Sequence, residues 1–223
     1  MDLYIILDIK NLDLKMQPYV IFNTAMSLDG KIGKKDEQIV FSNKLDNYRV
    51  HTLRGSVDAI MIGVETVISD DPELTVREVA EKPRRVIVDN KGEIPLNSKV
   101  LDGTAETIVA VSSNANKATV KRLEDKGIDV LTLGEYTINL RELLWALYRR
   151  GIKKILLEGG GVLSRRMFNE GMVNELYITV APILIGEGID LFHGKFDKHI
   201  KLTLEGILQY GDQVVLHYMV KRF

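Results

Sequence analysis

The sequence predicts an α/β fold: a mixed, mostly parallel central sheet with helices on both faces and an antiparallel hairpin at the C-terminal end. Three observations carry this. Short unbroken apolar runs, such as Val57–Gly63 (VDAIMIG) and Lys154–Glu158 (KILLE), read as strands buried on both faces. Between such runs lie stretches of helical spacing that end at a glycine, as Asn116–Lys126 does at Gly127. In the last third the pattern changes. Leu202–Gln209 and Val214–Val220 flank Tyr210-Gly211-Asp212-Gln213 and read as an antiparallel hairpin.

The elements follow in order. Tyr19–Met26 (YVIFNTAM) is an apolar run ending in a polar Ser27-Leu28-Asp29-Gly30 turn, and reads as the first buried strand. Asn43–Leu53 reads as a helix capped by Asn43 or Ser42. Val57–Gly63 is the next strand, and a long polar stretch runs from it to Arg77. Arg85–Asp89 and Thr107–Val111 are two further strands, and Ile128–Leu133 follows the helix Asn116–Lys126. Leu140–Arg150 is a helix ended by Gly151, Lys154–Glu158 a strand, Val162–Asn169 a helical stretch and Leu176–Ala181 the strand before the hairpin.

Composition bounds the function. The chain has 223 residues, 45% of them apolar and 27% charged, which suits a globular domain with a substantial core. A formal net charge of −1 gives no global field toward nucleic acid or an anionic membrane, so neither is expected as a partner. The absence of cysteine excludes disulfides, thiolate zinc sites and a cysteine nucleophile. His51, His193, His199 and His217 lack metal spacing, so no metal is expected. No apolar run is long enough to span a bilayer. The first residues (MDLYIILDIKNLDLKMQ) lack a basic start and a small-residue cleavage site, so the expected setting is cytoplasmic. Residues 1–17 read as an extension of unknown role, and residues 18–223 as a single domain.

Three constellations could carry chemistry. Glu158-Gly159-Gly160-Gly161 sits between a buried strand and a helical stretch, where glycines let a backbone approach a ligand and helix N–H groups meet phosphate. The same residues could form a plain tight turn. Asn23 to Lys31 places polar residues at the carboxyl end of a buried strand, where open α/β sheets bind ligands, although taken alone a self-capped turn explains them better. The stretch from Gly63 to Arg77, with Asp70-Asp71-Pro72 inside it, could wrap a charged ligand. Arg54, at the end of the preceding helix, adds a second fork-shaped donor beside Arg77.

Taken together these stretches resemble a known family. PYVIFNTAMSLDGKI from Pro18, LRGSVDAIMIGVETVISDDPELTVR from Leu53, PRRVIVD from Pro83, KILLEGGGVL from Lys154 and VNELYITVAPILIG from Val173 are similar to the reductases of riboflavin biosynthesis. These are the stand-alone counterparts of the C-terminal half of the bacterial bifunctional deaminase–reductase. The resemblance runs from about Pro18 to the C-terminus. It implies a dihydrofolate-reductase-like fold, a homodimer, and NADPH as hydride donor to a ribosylamino-pyrimidine 5′-phosphate. By resemblance, Thr66, Asp70, Gly159, Gly160, Gly161, Val162 and Leu163 contact the cofactor. Arg54, Leu74, Arg77 and Glu158 hold the substrate, and Asn23, Ala25 and Ser27 fall in the motif lining the floor. The implied chemistry opens the ribose to an imine and delivers hydride to its C1, with Asp29 or Glu158 relaying the proton. Ser112-Ser113-Asn114 is a further candidate, for the adenosine 2′-phosphate.

The departures sharpen the expectation. Asn23 stands where the bacterial bifunctional enzymes usually carry Lys, and resembles the archaeal and fungal branch. Gln38–Ser42 reads QIVFS in place of a bacterial tryptophan-containing segment. No zinc deaminase half is present. A stand-alone reductase of this kind is expected to act before deamination, on the 2,5-diamino-pyrimidinone. Action on the deaminated uracil, a pterin or folate reductase of the same fold, and a catalytically silent nucleotide-binding module are the alternatives.

Overall fold

The structure is a computed structural model and describes residues 16–35, 37–76 and 82–221. All but Met16 and Gln17 of the expected N-terminal extension thus lie outside the described residues.

A nine-stranded sheet forms the centre. Its strands are β1 (Tyr19–Ser27), β3 (Ala59–Gly63), β4 (Arg84–Val88), β5 (Thr107–Val111), β6 (Asp129–Thr132), β7 (Lys154–Leu157), β8 (Glu175–Ala181), β10 (Leu202–Tyr210) and β11 (Gln213–Val220). They lie in the order β10-β11-β8-β1-β7-β3-β4-β5-β6. Every neighbour pair from β8 through β6 is parallel, and only β8–β11 and β10–β11 are antiparallel. The mixed, mostly parallel sheet with its C-terminal hairpin is the one the residue pattern predicts. Two short strands, β2 (Lys31–Gly33) and β9 (Ile189–Asp190), pair separately and are too short to carry a period-two signal.

Alternation along each strand divides the core in two. Val20, Phe22, Met61, Ile108, Ile155 and Leu157 point to one face, where α4 (Leu140–Arg149) and α5 (Gly161–Asn169) cover them. Ile21, Ile60, Ile62, Ile87, Val109 and Leu156 point to the other, under α2 (Val64–Asp70) and α3 (Lys117–Asp125), with Leu53 of α1 (Lys44–Arg54) packed alongside. Because both faces are covered, these strands are continuous apolar runs.

The helix starts follow side-chain chemistry. Asn43, and not Ser42, caps α1: its Oδ1 accepts from the N–H groups of Leu45 and Asp46. Asn116 and Asn139 cap α3 and α4 in the same way. Helix α2 is absent from the sequence reading, which takes this stretch as an irregular polar segment. Its sequence, VETVISD, is rich in β-branched residues with weak helix propensity. It forms because Val64 and Val67, one turn apart, bury against the sheet. Among the described residues no helix is long and apolar enough to cross a membrane.

Candidate active site

The carboxyl ends of β1, β7 and β3 are neighbours at the middle of the sheet, so the segments that leave them gather at one edge. There α1 places Arg54 against Glu158, the residue after β7. Arg54 Nε donates to Glu158 Oε1 at 2.8 Å and Nη2 to Oε2 at 2.7 Å, a bidentate pair. Arg54 Nη1 donates to the Thr75 carbonyl at 3.3 Å. Both partners are largely buried. Burial opposes the Arg54 charge, but the facing Glu158 carboxylate outweighs it and raises the pKa.

This pair closes one end of a cleft of about 370 Å³. Asn23, Thr24 and Ala25 of β1, Asp46, Asn47 and Arg49 of α1, and Val40, Phe41 and Ser42 line it. The structure therefore brings Asn23, Ala25, Arg54 and Glu158 together, four of the residues expected at the substrate. Asp46 and Arg49 carry no motif signal. Their one-turn spacing was the only hint, and it is common on surface helices. The QIVFS segment proves to line the cleft through Val40, Phe41 and Ser42.

Next to the pair lies a glycine cradle. Gly159 has φ of +115°, a region closed to side chains, and its carbonyl accepts from Gly63 N–H at 3.0 Å. A Cβ on Gly160 would stand 3.0 Å from Thr66 Oγ1. A Cβ on Gly161 would meet backbone atoms of Asp190, Leu191 and His193, each at 3.2 Å. Gly160 is the N-cap of α5 and supplies no side-chain cap, and the first turn contains no acidic residue. The N–H groups of that first turn have no acceptor within the helix. A glycine run at a helix start without a side-chain cap, beside the Thr66 hydroxyl, fits the phosphate-bearing part of a dinucleotide cofactor. Val162 is exposed and Leu163 buried at the same turn. Asp70 closes α2, where Ser69 Oγ donates to its carboxylate.

Other expected residues turn elsewhere. Asp29 does not face the cleft. Its carboxylate accepts from Ser27 Oγ at 2.6 Å and from the N–H groups of Ile185 and Gly186 at 3.1 and 2.7 Å. Those bonds, Ser27 foremost, hold its pKa down to about 2. These bonds commit the Asp29 carboxylate to the turn, and Asp29 is not among the residues that line the cleft. Ser27 is fully buried, and its hydroxyl also accepts from Lys31 N–H, so it organises the turn instead of meeting a ligand. Leu74, at φ +49°, packs into the core through its side chain. Arg77 lies outside the described residues. In the Ser112–Asn114 loop, Ser112 Oγ donates to Asn90 O at 2.6 Å, and the N–H groups of Ser112, Ser113 and Asn114 all bond backbone carbonyls. That leaves no free backbone donor there for a 2′-phosphate. His217 stacks on Tyr177 at 4.2 Å between ring centres and bonds Glu175, a structural role. No cluster able to hold a metal ion occurs among the described residues.

Comparison with known proteins decides the family. The family described as RibD C-terminal domain matches residues 18–216. The chain belongs to the RibD C-terminal domain family. A relative from Methanothermobacter thermautotrophicus, named 2,5-diamino-6-ribosylamino-4(3H)-pyrimidinone 5′-phosphate reductase, is 37% identical over 220 residues, 92% of this chain and 100% of its own. A protein of the same name from Archaeoglobus fulgidus is 39% identical over 183 residues, 77% of this chain and 83% of its own. Among solved structures, RibD of Acinetobacter baumannii superposes with a TM-score of 0.81 at 27% identity, over 92% of this chain and 58% of that one. Both sequence relatives are named as reductases, and the RibD structure shares the fold described above. The family is therefore one of oxidoreductases, whose chemistry implies a nicotinamide cofactor in general.

Proposed function

We propose that this chain reduces 2,5-diamino-6-ribosylamino-4(3H)-pyrimidinone 5′-phosphate to its ribitylamino product with NADPH. The observation that carries the proposal is the buried Arg54–Glu158 pair, which stands at once against the cleft and beside the Gly159–Gly161 cradle. A substrate in the cleft and a dinucleotide on the cradle would meet at that pair.

Bound NADPH supplies the hydride that reaches C1 of the opened ribose. The chain's own groups bind, orient and move protons. Arg54 holds Glu158 in one orientation. As the ribose opens, Glu158 can take the N–H proton of the glycosidic nitrogen while solvent protonates the ring oxygen. The same proton returns to that nitrogen when hydride reaches C1, so Glu158 ends as it began. With its fork turned onto Glu158, Arg54 acts mainly as the holder of that carboxylate. Arg77 remains the proposed partner of the 5′-phosphate. Thr66, Asp70 and residues Gly159 to Leu163 are proposed to bind the cofactor. Asn23 and Ala25 are proposed to face the pyrimidine.

Two coarser expectations extend the proposal. Strand β10 is an outer edge with Leu202, Leu204, Ile207 and Leu208 all exposed. An apolar edge strand of this kind invites pairing, and a homodimer is the expected way to cover it. A cysteine-free chain suits the reducing cytoplasm, where we place the enzyme.

The deciding experiment follows the loss of reduced-nicotinamide absorbance with purified protein, NADPH and the diamino substrate, beside the deaminated uracil analogue. Faster oxidation with the diamino compound is expected. Preference for the uracil would overturn the substrate assignment, and silence with both would overturn the reductase.

A further inference from the structure

Asp46 and Arg49 form a buried ion pair at the wall of the cleft, one turn apart on α1. Asp46 is completely buried. Its Oδ1 accepts from Arg49 Nε at 2.8 Å and from Thr179 Oγ1 at 3.0 Å, and its Oδ2 accepts from Ser42 Oγ at 2.6 Å. Arg49 Nη2 donates to Asn23 Oδ1 at 2.9 Å and to Thr179 Oγ1 at 3.3 Å. The guanidinium also lies over the ring of Tyr177, 5.6 Å from its centre. The cluster joins α1, β1 and β8 at one point.

Buried ion pairs seldom stabilise a fold more than apolar packing would, because two charges must leave water. A pair beside a cleft that fixes one side-chain amide has a different use. A guanidinium has donors and no acceptors, so the atom of Asn23 that faces Arg49 must be its oxygen. The flipped amide would set N–H against N–H in a buried site. With the oxygen claimed, Nδ2 is the polar atom of Asn23 left over, and it has no partner among the described residues.

We propose that Arg49, anchored by Asp46 and Thr179, is a positioning residue that fixes the Asn23 amide with its NH2 group toward the cleft. The site then reads a hydrogen-bond acceptor on the pyrimidine, a ring carbonyl or an unprotonated ring nitrogen. This rests on the reading of Asn23 as a substrate contact. In this role Arg49 acts on the substrate through Asn23.

Steady-state kinetics on the full chain test this, with Arg49→Ala, Asn23→Ala, the double variant, Arg49→Lys and Asn23→Asp. Arg49→Ala should raise KM for the pyrimidine about tenfold, the loss of roughly one charge-assisted hydrogen bond's orientation, with KM for NADPH within about twofold of the parent. Arg49→Lys should recover part of the loss, since one donor can still reach Asn23. In the Asn23→Ala background, Arg49→Ala should add no further rise in KM. Asn23→Asp keeps an oxygen for Arg49 and removes the NH2, so it should match Asn23→Ala in KM while retaining the parent melting temperature. An additive effect of Arg49→Ala in the Asn23→Ala background would overturn the inference, and so would an equal rise in KM for NADPH or an unchanged pyrimidine KM in Asn23→Asp. If Asn23→Ala alone raises KM and Arg49→Ala does not, only the inference fails. If neither does, the reading of Asn23 as a substrate contact fails with it. Should Arg49→Ala not fold, Asn23→Asp still decides the orientation claim.

Discussion

The parallel and antiparallel halves of the sheet obey opposite rules. Strand β3, in the parallel half, is buried at every position, while β10 is exposed at all but two. Helices cover both faces of the first. The second ends in an open edge whose Leu204 and Ile207 face solvent. The difference teaches where each kind of function can sit. The parallel half is complete within one chain and can hold Arg54, Glu158 and the glycine cradle rigidly. The antiparallel half presents an edge backbone and exposed apolar side chains to solvent.

The sharpest way to break this comparison is to damage each half and see what fails. Ile60→Ala in β3 should cost about 2–5 kcal/mol of stability by leaving a cavity that neighbours cannot fill, measured by denaturant unfolding. A loss below about 1 kcal/mol would mean that the parallel half is less tightly packed than described. Glu158→Gln leaves the largely buried Arg54 charge without its counter-ion, so it should lower stability as well as lower kcat about a hundredfold, with NADPH binding by fluorescence retained. An unchanged kcat would remove Glu158 from the proton path. Gly161→Ala should raise KM for NADPH about tenfold, because its Cβ would crowd the backbone of Asp190 to His193 and shift the start of α5.

On the antiparallel side the expected effects on the fold shrink. Ile207→Lys should change unfolding of the chain by less than about 0.5 kcal/mol, since the site is exposed, yet drive the protein to monomer in light-scattering chromatography. A variant that stays dimeric would move the interface off β10.

The smallest effect belongs to Asp29, which ties the turn after β1 to the loop after β8. Its pKa falls from 3.8 to about 2 on folding. A depressed carboxylate pKa stabilises above the unfolded value, and the contribution is lost as pH falls through the folded one. The melting temperature of Asp29→Asn should therefore lie slightly below that of the parent at pH 7, and the two should converge between about pH 4 and pH 2. A difference that persists at pH 2 would show that the turn is held by something other than the ionised carboxylate.

Much of this was legible in the residues. Apolar runs such as AIMIG and KILL announce strands buried on both faces, and caps such as Asn116 and Asn139 announce where helices begin. The EGGG step after β7 marked the cradle, because no other residue allows a backbone at φ of +115° beside a helix start. Asp29 and Glu158, by contrast, were indistinguishable: each is a carboxylate beside glycine at the end of a buried strand. Only their partners differ. Arg54 reaches Glu158 across 104 positions, and Gly186 reaches Asp29 across 157.

Local periodicity and turn chemistry thus determined the sheet strands, the longer helices, the fold class and the segments that border the site, since those signals act over a few residues. Tertiary structure alone decided which face of α1 meets β1, that Asp46 and Arg49 would be drawn into the wall of the cleft, and which carboxylate would line it. The physical reason is that such choices depend on charges and donors brought together from distant positions, and a hydrogen bond between them leaves no periodic mark on the chain.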